Sequence, residues 1–346
     1  MEHVNHIINN KKYLDLRFAL VRQIREFFWG AGFVEVDAPA ILRFPGQEPY
    51  LSPMRVGFHD EKKTEFTGYL HTSPEYTMKK MLAAGYEKIF YLGKCFRDQE
   101  SFGGTHNPEF TMMEWYRAGA DFYALMDDTE NLVKKLVEYL RANKSVGELD
   151  NEQEKILQRL GGGWQRFHMR EVWQKYAGVN LDKYLTTEKM FELCLEKGYK
   201  PDKNEAYDDL FYRIFLNEIE PKLGQEIPTI VHHYPIQMAA LSRVSDEDSR
   251  YAERFEVYAE GVELANAFSE LTDAKEQSKR LEEERKLRMQ SGNIVYDVDR
   301  EFIDAVSCMP QSAGIALGVD RLIMALLGCK NIDNVLTLPA SKLFKE

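Results

Sequence analysis

The sequence predicts an α+β fold in which a largely antiparallel sheet is flanked by helices and interrupted by a helical insertion. Period-2 alternation recurs toward both ends of the chain, in "KIFYLGKCF", "EFTMMEWYRA" and "RFEVYAEGVELANAFSELT". The region between, residues 120–225, is charged and largely helical in pattern. No internal repeat and no low-complexity tail interrupts this plan. With 346 residues, the chain reads as a single domain over 1–346, the insertion included.

The elements follow in order. "LRFALVRQIREFFWGAGF" places Leu20, Val21, Ile24, Phe27 and Phe28 on one helical stripe, ended by Gly30 or Gly32. "FVEVDAP" is a short strand stopped before Pro39. "EFTGYLHTS" is a strand running into a helix, with Ser73 as N-cap, Pro74 at the first helical position and Glu75 in the first turn. The strands "KIFYLGKCF" and "EFTMMEWYRA" are joined by the loop "RDQESFGGTHNP", and Gly161–Gly163 make a turn within the helical region. "RFEVYAEGVELANAFSELT" is a hairpin, and "DAKEQSKRLEEERKLRMQ" is a charged helix expected to face solvent. "SAGIALG" is a strand between two glycines, followed by an apolar helix carrying Arg321.

Composition narrows the classes. With 44% hydrophobic and 29% charged residues the chain is of soluble, globular type. No apolar run reaches membrane-span length, and "MEHVNHIINNKKY" lacks a signal-peptide core. Cys95, Cys194, Cys308 and Cys329 are scattered, which argues against a zinc site or disulfide framework and for a reducing, cytoplasmic compartment. A net charge of −11 disfavours nonspecific nucleic-acid binding.

Chemistry concentrates on two strands. Alternation puts Phe110, Met112, Glu114 and Tyr116 on one face, and Asn266, Phe268 and Glu270 on another. Each face carries an aromatic and a carboxylate among small or apolar neighbours. A carboxylate in such a setting needs a cation or donors, so these faces suit an ammonium ligand. Arg97, just before a glycine-containing loop, supplies a cation nearby.

These residues carry a resemblance. "CFRDQESFGGTHNPEFTMMEWY" resembles motif 2 of the class II aminoacyl-tRNA synthetases, "GIALGVDRLIMAL" resembles motif 3, and "AGFVEVDAPAIL" the looser motif 1. "TSPEY", "HNPEFTMMEWY" and "ELANAFSELTDA" resemble the lysyl branch. The first helix begins close to Met1, leaving no room for an anticodon-binding barrel. That feature, "HHYPIQMAALSR" and the alanine of "GIALG" resemble the elongation factor P β-lysine ligases, whose catalytic domain stands alone.

The resemblance implies the class II synthetase fold, ATP and Mg2+ as cofactors, and a homodimer built through motif 1. It implies lysine or β-lysine as substrate, elongation factor P as protein acceptor, and no membrane. Arg97 would bind the amino-acid carboxylate and the α-phosphate. Phe110 would stack on adenine, with Arg321 on its other face or at the γ-phosphate and His106 near the phosphates. Glu256 and Glu263 would hold Mg2+. Since alternation sets Glu263 opposite Asn266, a shared site requires a bulge or twist there. Glu75 and Glu114 would take the amino group near the reacting carboxylate. Tyr116 and Glu270 would take the distal ammonium, with Asn266, Phe268 and Ala316 shaping the pocket.

The motif 2 loop departs from the pattern. Gln99 stands where the family usually has glutamate, and His106 lies one position further from Arg97 than usual. An inserted residue would let Glu100 meet the adenine amino group. Two other functions stay open at this point: a free-standing enzyme charging tRNA or another acceptor, and a non-catalytic amino-acid-binding paralogue. The acidic balance and the missing anticodon module count against tRNA.

Overall fold

The computed structural model describes residues 1–143 and 150–344. Residues 144–149 of the expected helical segment lie outside the described residues. Among the described residues there are eleven strands: β1 (Val34–Glu35), β2 (Ile41–Leu42), β3 (Arg55–His59), β4 (Glu65–Leu70), β5 (Lys88–Phe96), β6 (Glu109–Ala118), β7 (Gln165–His168), β8 (Thr229–Pro235), β9 (Tyr251–Ala259), β10 (Val262–Ser269) and β11 (Ser312–Gly318). Eight form one sheet in the order β1-β5-β6-β11-β10-β9-β8-β7, and β2-β4-β3 form a small second sheet. The large sheet is antiparallel except at its two edges, where β1 pairs with β5 and β7 with β8 in parallel.

Pairing in the middle of the sheet sorts its residues between two faces. Gly314 lies opposite Tyr116 and Phe268, and Ala316 opposite Glu114 and Asn266. Asn266 in turn faces Glu256 on β9. The intervening residues, including Met113, Trp115, Ala265, Ala267, Ile315 and Leu317, point the other way into the main core. That core is covered by the helices Glu2–Gly30, Phe122–Ala142, Asn151–Leu160 and Val319–Leu327.

The N-terminal helix starts at Glu2, well before the stripe that announces it, and buries Leu14, Leu16, Leu20, Ile24 and Phe28. Between Phe122 and Lys222 the expected helices are present, but β7 interrupts them. Its register with β8 puts the insertion on the sheet edge. Four residues are too few for alternation to stand out in a helical context. A separate apolar cluster around Trp173, Phe211 and Phe215 forms the insertion's own core against Val231, Tyr251 and Tyr258.

The charged helix Ala274–Gln290 departs from the expected solvated face. Gln277, Leu281 and Arg288 are fully buried. The Arg288 guanidinium is spent on backbone carbonyls, donating to Glu48 at 2.6 Å, Leu51 at 2.8 Å and Ile294 at 3.0 Å. A charge pattern cannot reveal this, because the carbonyls that receive the arginine come from a distant loop.

One buried ion pair ties the chain's beginning to its end. Arg17 on the first helix pairs with Asp320 at the start of the helix Val319–Leu327. Arg17 also donates to Thr111 Oγ1 at 2.8 Å, and the Thr111 N–H donates to Asp320 at 2.8 Å. Both charges are enclosed, so removing one leaves the other unpaired. Arg17→Met is therefore expected to lower unfolding stability by roughly 3–5 kcal/mol, read as a shift of the urea midpoint. A loss below about 1 kcal/mol would show that Thr111 alone satisfies Asp320.

Candidate active site

A cavity of about 440 Å3 opens on the polar face of the sheet, a size that suits a small ligand or nucleoside. Arg97, Glu100, His106 and Phe110 line it from the motif 2 segment, Glu256, Glu263 and Asn266 from β9–β10, and Ala316 and Arg321 from β11 and its helix. The five other expected residues, Glu75, Glu114, Tyr116, Phe268 and Glu270, do not border this cavity. They form a second, enclosed group beside it, where Glu114 neighbours Ala316 across the β6–β11 ladder.

At the cavity's outer end the charges are linked. Arg321 donates from Nη2 toward His106 Nε2 at 3.2 Å, and His106 Nδ1 lies 2.8 Å from Glu100. An arginine can only donate, so Nε2 accepts and the imidazole proton sits on Nδ1, facing Glu100. That bond holds the Glu100 carboxyl below the usual range. Gln99 is exposed with a φ of 62°, a left-handed turn that sends it away from the cavity. Glu100 lines the cavity and Gln99 does not. The Arg97 guanidinium lies 5.0 Å over the Phe110 ring, and its Nε has no hydrogen-bond partner. A half-buried arginine with an enclosed, unpartnered Nε is a ready receptor for an oxyanion.

The bulge required by sequence alternation is present. Register shifts between Glu263 and Ala265, so Leu264 is an extra residue and Glu263 and Asn266 reach the same cavity. Glu256 is held by the Tyr234 hydroxyl at 2.6 Å and by Arg254 at 2.7 Å. Burial and the neighbouring Glu256 charge push Glu263 up to about 7. Two carboxylates that repel at the mouth of a cavity are a fitting donor set for a hard divalent cation. Among the described residues no cluster of three or more metal-type ligands occurs, so Mg2+ there would draw its remaining oxygens from phosphate and water.

The enclosed group is built from a helix start and two strands. Pro74, not Ser73, stands at the N-cap of the helix Glu75–Ala83; Ser73, one residue earlier, accepts the Glu75 N–H at 3.0 Å and donates to Glu114 at 2.5 Å. Tyr116 donates to the other Glu114 oxygen at 3.0 Å. Glu75 and Glu270 share Lys79, at 2.6 and 2.5 Å. Lys79, one turn along the helix from Glu75, is what sequence reading missed; the i,i+4 Glu–Lys spacing was the available signal. Arg254, which bonds both Asn266 and Glu256, was missed as well. Gly314 makes room for the group, because a Cβ there would overlap both the Tyr116 ring and a Glu270 oxygen.

Three carboxylates around one lysine leave a negative excess in an enclosed place. Burial, helped by Glu75, pushes Glu114 up to about 8. Burial likewise raises Glu270 to about 8 despite the opposing pull of Lys79. Lys79 is itself raised, since Glu270 and Glu75 outweigh its burial.

The chain was then compared with known proteins. Residues 6–342 match the model of the class II tRNA synthetases (D, K and N). The chain belongs to this family. Among curated members it is 37% identical over 323 residues to an elongation factor P–(R)-β-lysine ligase of Histophilus somni (strain 2336), covering 93% of both chains. It is 38% identical over 324 residues to the Proteus mirabilis (strain HI4320) protein of that name, covering 92% of each. In this class II chain the α+β fold expected from sequence is present, and the motif 2 and motif 3 residues converge on one cavity.

The raised carboxyls have a signed consequence. A carboxyl lifted from its usual 4.5 to about 8 stabilises the folded state fully below pH 4.5, and that contribution is lost as pH rises through about 8. Ligand-free protein is therefore expected to lose thermal stability between pH 6 and 8.5, and Glu114→Gln should flatten part of that slope. Melting curves at pH 6, 7 and 8.5 check it; parallel slopes in the two proteins would exonerate Glu114.

Proposed function

We propose that this protein uses ATP to activate a lysine-type amino acid, β-lysine first, and passes the acyl group to a lysine side chain of elongation factor P. The observation that carries the reading is the pairing of two complementary ends. The Arg97 guanidinium, its Nε without a hydrogen-bond partner, suits a carboxylate and a phosphate, and beside it Glu75 and Glu270 share Lys79 while Glu114 is held by two hydroxyls. A diamino acid presents the matching set of one carboxylate and two ammonium groups. The names of the curated relatives supply the acceptor.

The chemistry needs no nucleophile from the protein. A carboxylate oxygen of the amino acid attacks the α-phosphorus in line, the bond to pyrophosphate breaks, and an acyl-adenylate remains. Arg97 would orient the carboxylate and offset charge that grows at the α-phosphate. Phe110 would carry the adenine, and Glu100 with His106 and Arg321 would frame the nucleotide. Glu256 and Glu263 would hold Mg2+, which supplies positive charge on the phosphates. The neutral amine of the acceptor lysine then attacks the adenylate carbonyl, AMP leaves, and the amine gives up a proton to form the amide. We further propose that the protein acts in the cytoplasm as a homodimer, and as one domain over its whole length. Among the described residues no helix is long and apolar enough to cross a membrane.

Incubation with β-lysine or lysine, ATP and either elongation factor P or tRNA tests the assignment. Acylation of elongation factor P, abolished on the order of 10²–10³-fold by Arg97→Ala, is the expected result. Efficient charging of tRNA alone would overturn it, and no pyrophosphate exchange with any diamino acid would favour a non-catalytic binding protein.

Ala316 puts a methyl on the cavity wall between Glu114 and Asn266. The ammonium of an α-amino acid sits one carbon nearer the carboxylate than that of a β-amino acid, so this methyl is placed to crowd one and pack against the other. Ala316→Gly is expected to raise kcat/KM for α-lysine relative to β-lysine by about tenfold, within the range one methyl can supply. A ratio within about twofold of the parent would remove Ala316 from substrate selection.

A further inference from the structure

The loop Gly46–Leu51 lies between the small sheet's β2 and β3, and Glu48, Tyr50 and Leu51 of it line the cavity. It has no regular structure of its own. It is held mainly by one distant segment, residues 288–297, with a further bond from the Tyr50 hydroxyl to Asp209 at 3.3 Å. Arg288 donates to the Glu48 and Leu51 carbonyls, Asn293 to the Pro49 carbonyl at 2.9 Å, and Tyr296 to the Gly46 carbonyl. Gln47 donates back to the Asp297 carbonyl at 3.2 Å. Five hydrogen bonds on six residues fix a stretch of backbone that would otherwise move freely.

What this bracing presents to the cavity is the Glu48 carboxyl. Glu75 and Glu270 share Lys79, and Glu114 accepts from Ser73 and Tyr116. Glu48 has no ion-pair partner and no side-chain donor among the described residues, and its Oε2 is enclosed without any hydrogen-bond partner. Its side chain folds back over Gly46, where a Cβ would collide with that oxygen. Burial and the Glu75 charge raise its pKa, with Arg97 and Arg288 close enough to pull the other way. The Glu284 carboxyl is close enough to feel Glu48, and burial pushes it well above the usual carboxylate range. An enclosed carboxyl in this company calls for a cation, and its neighbours Glu75 and Arg97 set it at the reacting end of an amino acid whose carboxylate Arg97 would hold.

We propose that Glu48 receives the ammonium group nearest the reacting carboxylate, and that Arg288 is a positioning residue that sets the loop carrying it. The inference rests on the function proposed above and names a recognition residue for it.

Calorimetric titration of the whole protein with lysine, β-lysine, 6-aminohexanoate and ATP tests the proposal. 6-Aminohexanoate keeps the carboxylate and the distal ammonium but lacks the reacting-end amine. Glu48→Gln is expected to weaken lysine and β-lysine on the order of tenfold or more, the cost of losing a hydrogen bond to a charged group. Binding of 6-aminohexanoate and ATP should stay within about twofold. Arg288→Lys keeps the charge but cannot reach three carbonyls, and should produce the same selective loss. The double variant should be no worse than either single one. Equal weakening of lysine and 6-aminohexanoate by Glu48→Gln, or no weakening of either, would overturn the proposal. Should Arg288→Lys fail to fold, the Glu48→Gln titrations decide alone. If the parent protein binds none of the three amino acids, the proposed function fails instead, which separates the two conclusions.

Discussion

The site depends on the register of three adjacent strands. Because Gly314 and Ala316 are locked opposite Tyr116 and Glu114 on one side, and Phe268 and Asn266 on the other, every polar group on β6, β10 and β11 that matters faces the same way. A slip of one residue would drive Glu114 into the core and bring Trp115 out to the cavity. The apolar half of the pattern, Met113, Trp115, Ile315 and Leu317 buried against two long helices and two shorter ones, is what forbids the slip. Packing on one face therefore specifies chemistry on the other. Leu264 is the single local exception, and it serves the same end by bringing Glu263 round to Asn266.

Within that frame the electrostatics divide in two. The outer end balances its charges internally through Arg321, His106 and Glu100, and through Arg254 with Glu256. The inner end does not: Glu75, Glu114 and Glu270 have Lys79 alone. A fold optimised for stability alone would not enclose that excess, since burying like charges is costly. The imbalance makes physical sense as a place whose missing cations arrive with the substrate.

Much of this was legible in the sequence, for reasons that differ by residue. The strands around the site announced themselves because one face of each is wholly apolar, which makes alternation sharp. The conflict between Glu263 and Asn266 was visible as a parity problem, and only a bulge could resolve it. Lys79, Arg254 and Arg288 were not read as site residues, because each acts on groups far away in sequence: Lys79 on Glu270, Arg254 on the Met238 carbonyl, Arg288 on the loop at Glu48. A basic residue in a charged helix looks the same whether it meets water or a buried carbonyl. The strand β7 escaped because its only support is its pairing with β8, a tertiary fact.

The sheet order has a further consequence, for biosynthesis. The strand β11 lies in the middle of the sheet between β6 and β10, yet ten of the eleven strands precede it in the chain. Until residue 318 has left the ribosome, β6 and β10 each present an open row of backbone donors and acceptors with apolar side chains on one flank, the condition that invites wrong pairing. Arg17 waits equally long for Asp320. The nascent chain must therefore hold its largest hydrophobic surface unsealed through nearly the whole of translation. Closure of the sheet comes as one insertion, so chaperone demand and sensitivity to premature termination should both concentrate in the stretch of chain just before β11 is complete.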